Sequence, residues 1–176
     1  MRIVAGRWRG RRLVAPAGTL VRPTGDRVRE AWMSIVQPHL PDARVLDLFA
    51  GSGALGLEAV SRGAAHADLV ENAVPSLQAI AANVAALDAG SLVRVHRTDA
   101  VRFASSLASH AYDVAFADPP YDLGLAAAIA QQWLAVPFAD VLGVEHRANE
   151  AMPDGGERRK YGGTAVTVYY KLRSTD

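Results

Sequence analysis

Residues 112–121 read Tyr-Asp-Val-Ala-Phe-Ala-Asp-Pro-Pro-Tyr, an apolar run ending in a carboxylate, two prolines and an aromatic ring. Proline fixes φ and has no N–H, so Pro119 and Pro120 cannot continue a central strand. The pattern predicts a strand over 114–117, with Asp118 and the Pro119 carbonyl left projecting from its carboxyl end. A carboxylate beside a carbonyl forms a pair of acceptors matched to the two hydrogens of an exocyclic amine. Tyr121 is placed to stack on the ring that carries the amine. Taken alone, the same four residues also fit a plain turn with a packed tyrosine.

Three more acids fall at or near predicted strand ends: Asp47, Glu71 and Asp99. Asp47 opens Asp-Leu-Phe-Ala-Gly-Ser-Gly-Ala-Leu-Gly, residues 47–56, which contains G-x-G-x-x-G. That motif by itself marks any tight strand-to-helix turn. A pyrophosphate binder places its first glycine directly after the strand and seats a phosphate on the helix N-terminus. A carboxylate at position 47 would repel a phosphate and attract an ammonium group. Glu71, 24 residues after Asp47, sits where an acid accepts both ribose hydroxyls, and Asp99 where an adenine amino group donates. An adenosine with a cationic amino-acid tail and no phosphates is S-adenosylmethionine. Asn72 fits either a contact with the adenine ring or an ordinary place at the start of a helix.

Positioning these acids requires a βαβα scaffold, and the chain has one. Apolar runs at 44–49, 67–71, 92–96, 114–117 and 141–145 read as strands buried on both faces. Helices are predicted between them at 54–62, 75–87, 101–107 and 123–134. The tail departs from this rhythm: 157–161 and 164–172 flank Gly162-Gly163, an antiparallel hairpin signal. The expected fold is α/β, a mostly parallel twisted sheet of Rossmann-like type closed by a C-terminal hairpin. Ahead of it, residues 1–15 alternate enough to suggest a short β-hairpin with Arg7 to Arg12 at its tip. A helix from Thr24 to Gln37 would bury Val28, Trp32, Ile35 and Val36 and turn Arg27 and Arg29 outward. Two parts are expected, an N-terminal extension over 1–40 and the main domain over 41–176.

Charge is distributed unevenly. Residues 1–30 hold eight arginines against Asp26 and Glu30, while the other 146 residues carry a net charge of −5. A cationic arm with Trp8 and interleaved glycines suggests a nucleic-acid contact, for which Arg suits phosphates and base edges better than Lys. Its candidate RNA-binding residues are Arg7, Arg9, Arg11, Arg12, Arg22, Arg27 and Arg29. Removing residues 1–15 is expected to abolish RNA binding and leave the cofactor site intact.

The chain resembles the bacterial 16S rRNA (guanine-N2) methyltransferase family within the class I S-adenosylmethionine-dependent methyltransferases. The resemblance rests on Arg2-Ile3-Val4-Ala5-Gly6 with Arg9-Gly10-Arg11, on residues 22–30 (Arg-Pro-Thr-Gly-Asp-Arg-Val-Arg-Glu), on 46–56, on Asp118-Pro119-Pro120-Tyr121 and on Tyr161-Gly162. The glycine and D-P-P-Y motifs are shared by many amine methyltransferases, and the 22–30 stretch is the more specific. The resemblance implies that Asp47, Phe49, Ala50, Gly51, Ser52 and Gly53 surround the methionine end of the cofactor. It implies that Glu71 takes the ribose, that Asp99 and the Ala100 backbone take the adenine, and that Asp118 to Tyr121 take the target base. Residues 147–156 are shorter than the family pattern expects.

The implied reaction is methylation of a guanine N2 amine in 16S rRNA, either free or in the assembling small ribosomal subunit. A DNA adenine-N6 or other exocyclic-amine methyltransferase and a non-catalytic RNA-binding module are the alternatives. A nicotinamide-dependent oxidoreductase would share the glycines and Glu71 but leave D-P-P-Y unexplained. Cysteine is absent from the sequence, which excludes thiol nucleophiles and cysteine–zinc sites. His39, His66, His96, His110 and His146 lack metal-ligand spacing, so no metal is expected. Trp32 and Trp133 read as core residues, and Ser52 as a turn residue. With no apolar run of spanning length and no leader, the chain is expected to be cytoplasmic, off the membrane, and a monomer.

Overall fold

The computed structural model describes residues 1–19 and 23–172, so Arg22 lies outside the described residues. Seven strands form one sheet: β1 Arg44–Leu48, β2 His66–Glu71, β3 Val93–Arg97, β4 Tyr112–Ala117, β5 Ala139–Arg147, β6 Glu157–Tyr161 and β7 Thr164–Tyr170. Their order is β3-β2-β1-β4-β5-β7-β6. Strands β1 to β5 pair in parallel, and β7 runs antiparallel to both β5 and β6. The chain leaves β1 toward β2 on one side and returns to β4 on the other. This reversal in strand order opens a crevice at the carboxyl ends of β1 and β4.

Five helices cover the sheet: α1 Pro23–Val36, α2 Ala54–Ser61, α3 Val74–Ala86, α4 Ala100–Ser105 and α5 Leu125–Ala135. Side chains along a strand alternate between faces, and the two cores follow that alternation. Val45, Val114 and Phe116 face the side covered by α1, α2 and α3. Leu46, Leu48, Ala115 and Ala117 face α4 and α5. The strands and helices expected from residue 24 onward are all present, with ends shifted by a residue or two. Trp32 and Trp133 are buried as expected. The Trp32 ring meets Phe116 edge-on, with centroids 5.4 Å apart. Gly143 of β5 lies directly beneath it, where a Cβ would stand 2.2 Å from the indole nitrogen.

Residues 1–15 are not the two-stranded hairpin that alternation suggested. One bridge, Arg2 to Arg12, is formed, and the rest is turn. The backbone donors that a ladder would use are drawn to α2 instead. The Glu58 carboxylate accepts from the N–H groups of Val4 and Ala5, at 3.0 and 3.3 Å for the nearer contacts. Arg7 N–H donates to the Ser61 carbonyl, and Trp8 N–H to the Ser61 hydroxyl at 3.0 Å. Gly6, at φ +87, presses so close to Ser61 that a Cβ would lie 1.8 Å from its carbonyl oxygen. Ile3, Trp8 and Leu13 belong to the same core as α1 and α2. The arm is thus built into the core beside α1 and α2.

Arg29 also departs from expectation. Arg27 is exposed, but Arg29 turns inward and is 8% exposed. Its guanidinium donates to the Arg2 carbonyl at 2.9 Å. The buried stripe of α1 therefore runs through residues 28, 29, 32, 33 and 36, pulled around by the arm packed beside it.

Candidate active site

A cavity of about 760 Å³ opens at the strand-order reversal, where the carboxyl ends of β1, β2, β4 and β5 meet the arm and α1. Among the described residues, five acidic side chains line it, Asp26, Glu71, Asp99, Asp118 and Glu145, against one basic side chain, Arg29. Such a lining is hostile to a polyphosphate and suited to a nucleoside carrying positive charge.

The glycine loop forms one wall. Phe49 at the tip of β1 and Gly51 both take φ +58, which turns the chain sharply toward α2. Positive φ costs a phenylalanine energy that glycine does not pay. Gly51 N–H donates to Glu71 Oε2 at 2.8 Å. The other Glu71 oxygen accepts from Asn72 and Ala73 N–H, each at 3.1 Å. Glu71 thus fixes the loop and the start of α3 while its carboxylate still faces the cavity. Beyond the loop, Asn83 clamps the arm: its amide donates to the carbonyls of Val14 at 3.0 Å and Ser52 at 2.9 Å. Asp99 caps α4 by accepting from Arg102 N–H through Oδ1.

Of the residues expected at the cofactor, Phe49, Ala50, Gly51, Ser52, Glu71, Asn72 and Asp99 line this cavity, as does Asp118, expected at the target base. Gly53 and Ala100 stand behind its wall, the first as the left-handed residue ahead of α2, the second buried in α4. Asp47 is the substantial correction. It is 1% exposed, and its Oδ2 accepts from Gly56 N–H at 2.9 Å beneath the loop. Burial holds its carboxyl well above the usual range, partly offset by the Gly56 amide and reinforced by the charges of Asp118 and Glu71. Asp47 ties β1 to α2 and does not reach the cavity.

At the other wall, Pro120 lines the cavity beside Asp118 while Pro119 is buried. Tyr121 stands to the side. Its hydroxyl donates to Glu145 Oε1 at 3.3 Å and shares a 2.9 Å bond with Thr164 Oγ1. One face of its ring is covered by the Arg147 guanidinium, 4.7 Å from the centroid. Arg147 is anchored in turn by Asp122 at 2.9 Å.

Glu145, two residues before the end of β5, carries no local motif that marks it. It stands one step beyond the paired Ala117 and Val144, so it neighbours Asp118 on the same side of the sheet. Desolvation raises both carboxyls above the usual range, and the Asp118 charge raises Glu145 further. Asp118 has substantial solvent-accessible area, yet it sits at the floor of a concave site ringed by protein. Enclosure therefore governs its ionisation more than surface area does. The enclosed pair therefore keeps a proton at a pH where a free carboxyl would have released it.

Of the arginines expected at RNA, Arg7, Arg9, Arg11, Arg12 and Arg27 are exposed and Arg29 is not. One cluster escaped the scattered histidines: His110, Asp113 and Asp140 bring ligand atoms within 4.8 Å of one another. It lies at the opposite end of the sheet, and the Arg44 guanidinium occupies it, 3.3 Å from Asp113 Oδ1 and 3.4 Å from His110 Nε2. No helix among the described residues is long and apolar enough to cross a membrane.

Comparison with known proteins places this geometry. The family model described as Conserved hypothetical protein 95 matches residues 1–170. Ribosomal RNA small subunit methyltransferase D of Escherichia coli is 45% identical over 125 residues, covering 71% of this chain and 62% of that relative's length. A solved hypothetical protein of Thermus thermophilus superposes with a TM-score of 0.80 at 32% identity, over 97% of this chain and 99% of that one. The 16S rRNA N2 G1207 methyltransferase of T. thermophilus, solved with AdoMet and guanosine, shares the fold at TM-score 0.63 and 21% identity, over 89% of this chain and 45% of that one. The architecture is the Rossmann-like methyltransferase fold with an antiparallel C-terminal hairpin.

Proposed function

The chain belongs to the family described as Conserved hypothetical protein 95, and we propose that it transfers a methyl group from S-adenosylmethionine to the N2 amine of a guanine in small-subunit ribosomal RNA. The observation that carries this reading is the placement of Asp118, at the tip of β4, in one cavity with the glycine loop, Glu71 and Asp99. The relative named ribosomal RNA small subunit methyltransferase D supports the substrate class. The cavity's acidic lining fits a phosphate-free adenosine with a positive charge. In the proposed arrangement Glu71 takes the ribose and Asp99 the adenine amine.

Bound S-adenosylmethionine supplies an electrophilic methyl group on a positively charged sulfur. The chain's residues prepare the other partner. A guanine N2 lone pair is delocalised into the ring and is a weak nucleophile. Asp118 and the Pro119 carbonyl accept the two amine hydrogens, which favours a pyramidal nitrogen and frees its lone pair. No metal is needed for an in-line transfer of this kind. A paired guanine hides its N2 in the helix, so the base must be unpaired or extruded. Residues 1–40 hold the surrounding RNA through the exposed arginines, residues 41–176 carry the transfer, and the protein works as a cytoplasmic monomer.

Incubation of the purified protein with methyl-labelled S-adenosylmethionine and small-subunit rRNA, free or assembled, tests the proposal after digestion to nucleosides. Label is expected in N2-methylguanosine. Asp118→Ala is expected to slow transfer by roughly 3–5 kcal/mol of barrier while cofactor affinity holds. Label in N6-methyladenosine, or none in any rRNA nucleoside, would overturn the assignment.

A further inference from the structure

A zwitterionic amino-acid tail presents one ammonium and one carboxylate a few bonds apart, and a site that holds it must offer both opposite charges. Asp47, the acid that the sequence offered for the ammonium, is sealed beneath the glycine loop and bonded to Gly56 N–H. Another carboxylate has to serve. Helix α1 supplies one together with a guanidinium: Asp26 and Arg29, one turn apart, both line the cavity.

The position of Arg29 is fixed from the glycine-loop side. Its Nη2 donates to the Arg2 carbonyl at 2.9 Å, while the neighbouring Met1 sulfur lies 3.9 Å from the Ser52 hydroxyl. Arg29 therefore sits across Met1 and Arg2 from the loop that the cofactor reading assigns to the methionine end. An i,i+3 ion pair on a helix is ordinarily a solvated surface contact worth a few tenths of a kcal/mol. Here the Arg29 side chain is 9% exposed, while Asp26, at 3.4 Å, is 46% exposed. Burying a guanidinium costs free energy that one carbonyl bond and one long contact to a half-exposed acid do not fully repay. A carboxylate delivered into the cavity would complete the balance. Among the described residues, Arg29 is also the one basic side chain beside five acidic ones on the cavity wall.

We propose that Asp26 binds the α-ammonium and Arg29 the α-carboxylate of the cofactor's amino-acid tail. This rests on the S-adenosylmethionine reading above, and it moves Arg29 from the RNA surface to the cofactor site. The pair reads the tail as a pair: charge of either sign alone, or none, is rejected relative to the zwitterion.

Calorimetric titration of the full chain with S-adenosylhomocysteine and with 5′-methylthioadenosine, which lacks the amino-acid tail, tests this. The unaltered protein is expected to bind S-adenosylhomocysteine at least 10-fold more tightly. Asp26→Asn and Arg29→Gln are each expected to lose 10-fold or more for S-adenosylhomocysteine, with 5′-methylthioadenosine unchanged. Asp26 is exposed enough for its variant to fold even if the Arg29 variant does not. Equal losses for both ligands, no loss for either, or a lowered rRNA affinity with S-adenosylhomocysteine binding intact would each overturn the proposal. Equal binding of both ligands by the unaltered protein would overturn it and leave the cofactor reading standing. Binding of neither ligand would overturn both.

Discussion

Asp118 and Glu145 stand side by side where the parallel pairing of β4 and β5 ends, one step past the pair Ala117 and Val144. Two carboxyls enclosed together cannot both ionise cheaply. Burial raises Asp118 to about 6, partly offset by a hydrogen bond with Glu145, while burial and the Asp118 charge raise Glu145 to about 8. In the unfolded chain both titrate near 4. Between those values the folded state holds more protons than the unfolded state, so stability present at low pH is lost as pH rises through the folded values. Glu145→Gln, which removes one charge and keeps the shape, is expected to flatten that loss and to gain on the order of 1–3 kcal/mol near pH 9. Calorimetric melting of both proteins from pH 5 to 9 checks this. Parallel slopes would show that the two acids do not share a proton.

Tyr121 reaches this pair through its hydroxyl, which links Glu145 to Thr164 at the start of β7. Tyr121→Phe keeps the ring under Arg147 and removes the link. It is expected to cost about 0.5–1.5 kcal/mol of transfer barrier, the worth of one such bond. Tyr121→Ala adds the loss of the ring, about 1–3 kcal/mol if a base stacks there. Single-turnover methylation of rRNA separates the two effects. Full activity in the alanine variant would remove Tyr121 from the substrate site.

The βαβα scaffold was legible because strands buried on both faces are short apolar runs, and glycines and prolines punctuate them. Asp118 was legible for the same reason: two prolines after an apolar run fix where the strand stops. Glu145 was missed although it closes the run expected for β5. Its significance comes from the β4–β5 register, which no local pattern prints. The burial of Asp47 depends on Gly56, where a Cβ would come within 2.3 Å of Leu69. That absence of a side chain lets α2 settle onto β1 and cover the acid. Arg29 was misplaced because a helical wheel drawn from apolar residues cannot register a carbonyl 27 positions upstream that draws a guanidinium inward.

Glu71 has a double part that can be separated. Its carboxylate accepts three backbone N–H groups, from Gly51, Asn72 and Ala73. Glu71→Gln replaces one acceptor oxygen with a donor that faces an N–H, so the loop loosens and the ribose contact weakens together. An affinity loss of about 10- to 100-fold for S-adenosylhomocysteine is expected, equivalent to ~1.4–2.7 kcal/mol, with a lowered melting temperature. Asp99→Asn keeps the α4 cap, so its loss should appear in binding alone. Titration and melting of both variants check the contrast, which an equal fall in melting temperature would erase.

The docking of the arm turns on Glu58, which is 1% exposed and paired with Arg62 at 3.0 Å. Its carboxylate also accepts from Val4 and Ala5 N–H. Glu58→Ala takes the carboxylate from a largely buried guanidinium, which keeps its bond to Gln37 Oε1, and leaves two backbone donors unpaired, a change worth about 3–5 kcal/mol. The arm carries Met1, Ala15 and Pro16 to the cavity wall, so its release should weaken S-adenosylhomocysteine binding as well as rRNA binding. Replacing Arg7 and Arg9 instead leaves the docked backbone in place. That variant is expected to lose rRNA affinity and its dependence on salt, with cofactor affinity and melting temperature unchanged. If Glu58→Ala lowers rRNA affinity alone, the arm is an appendage. A joint fall in both affinities makes it a wall of the site.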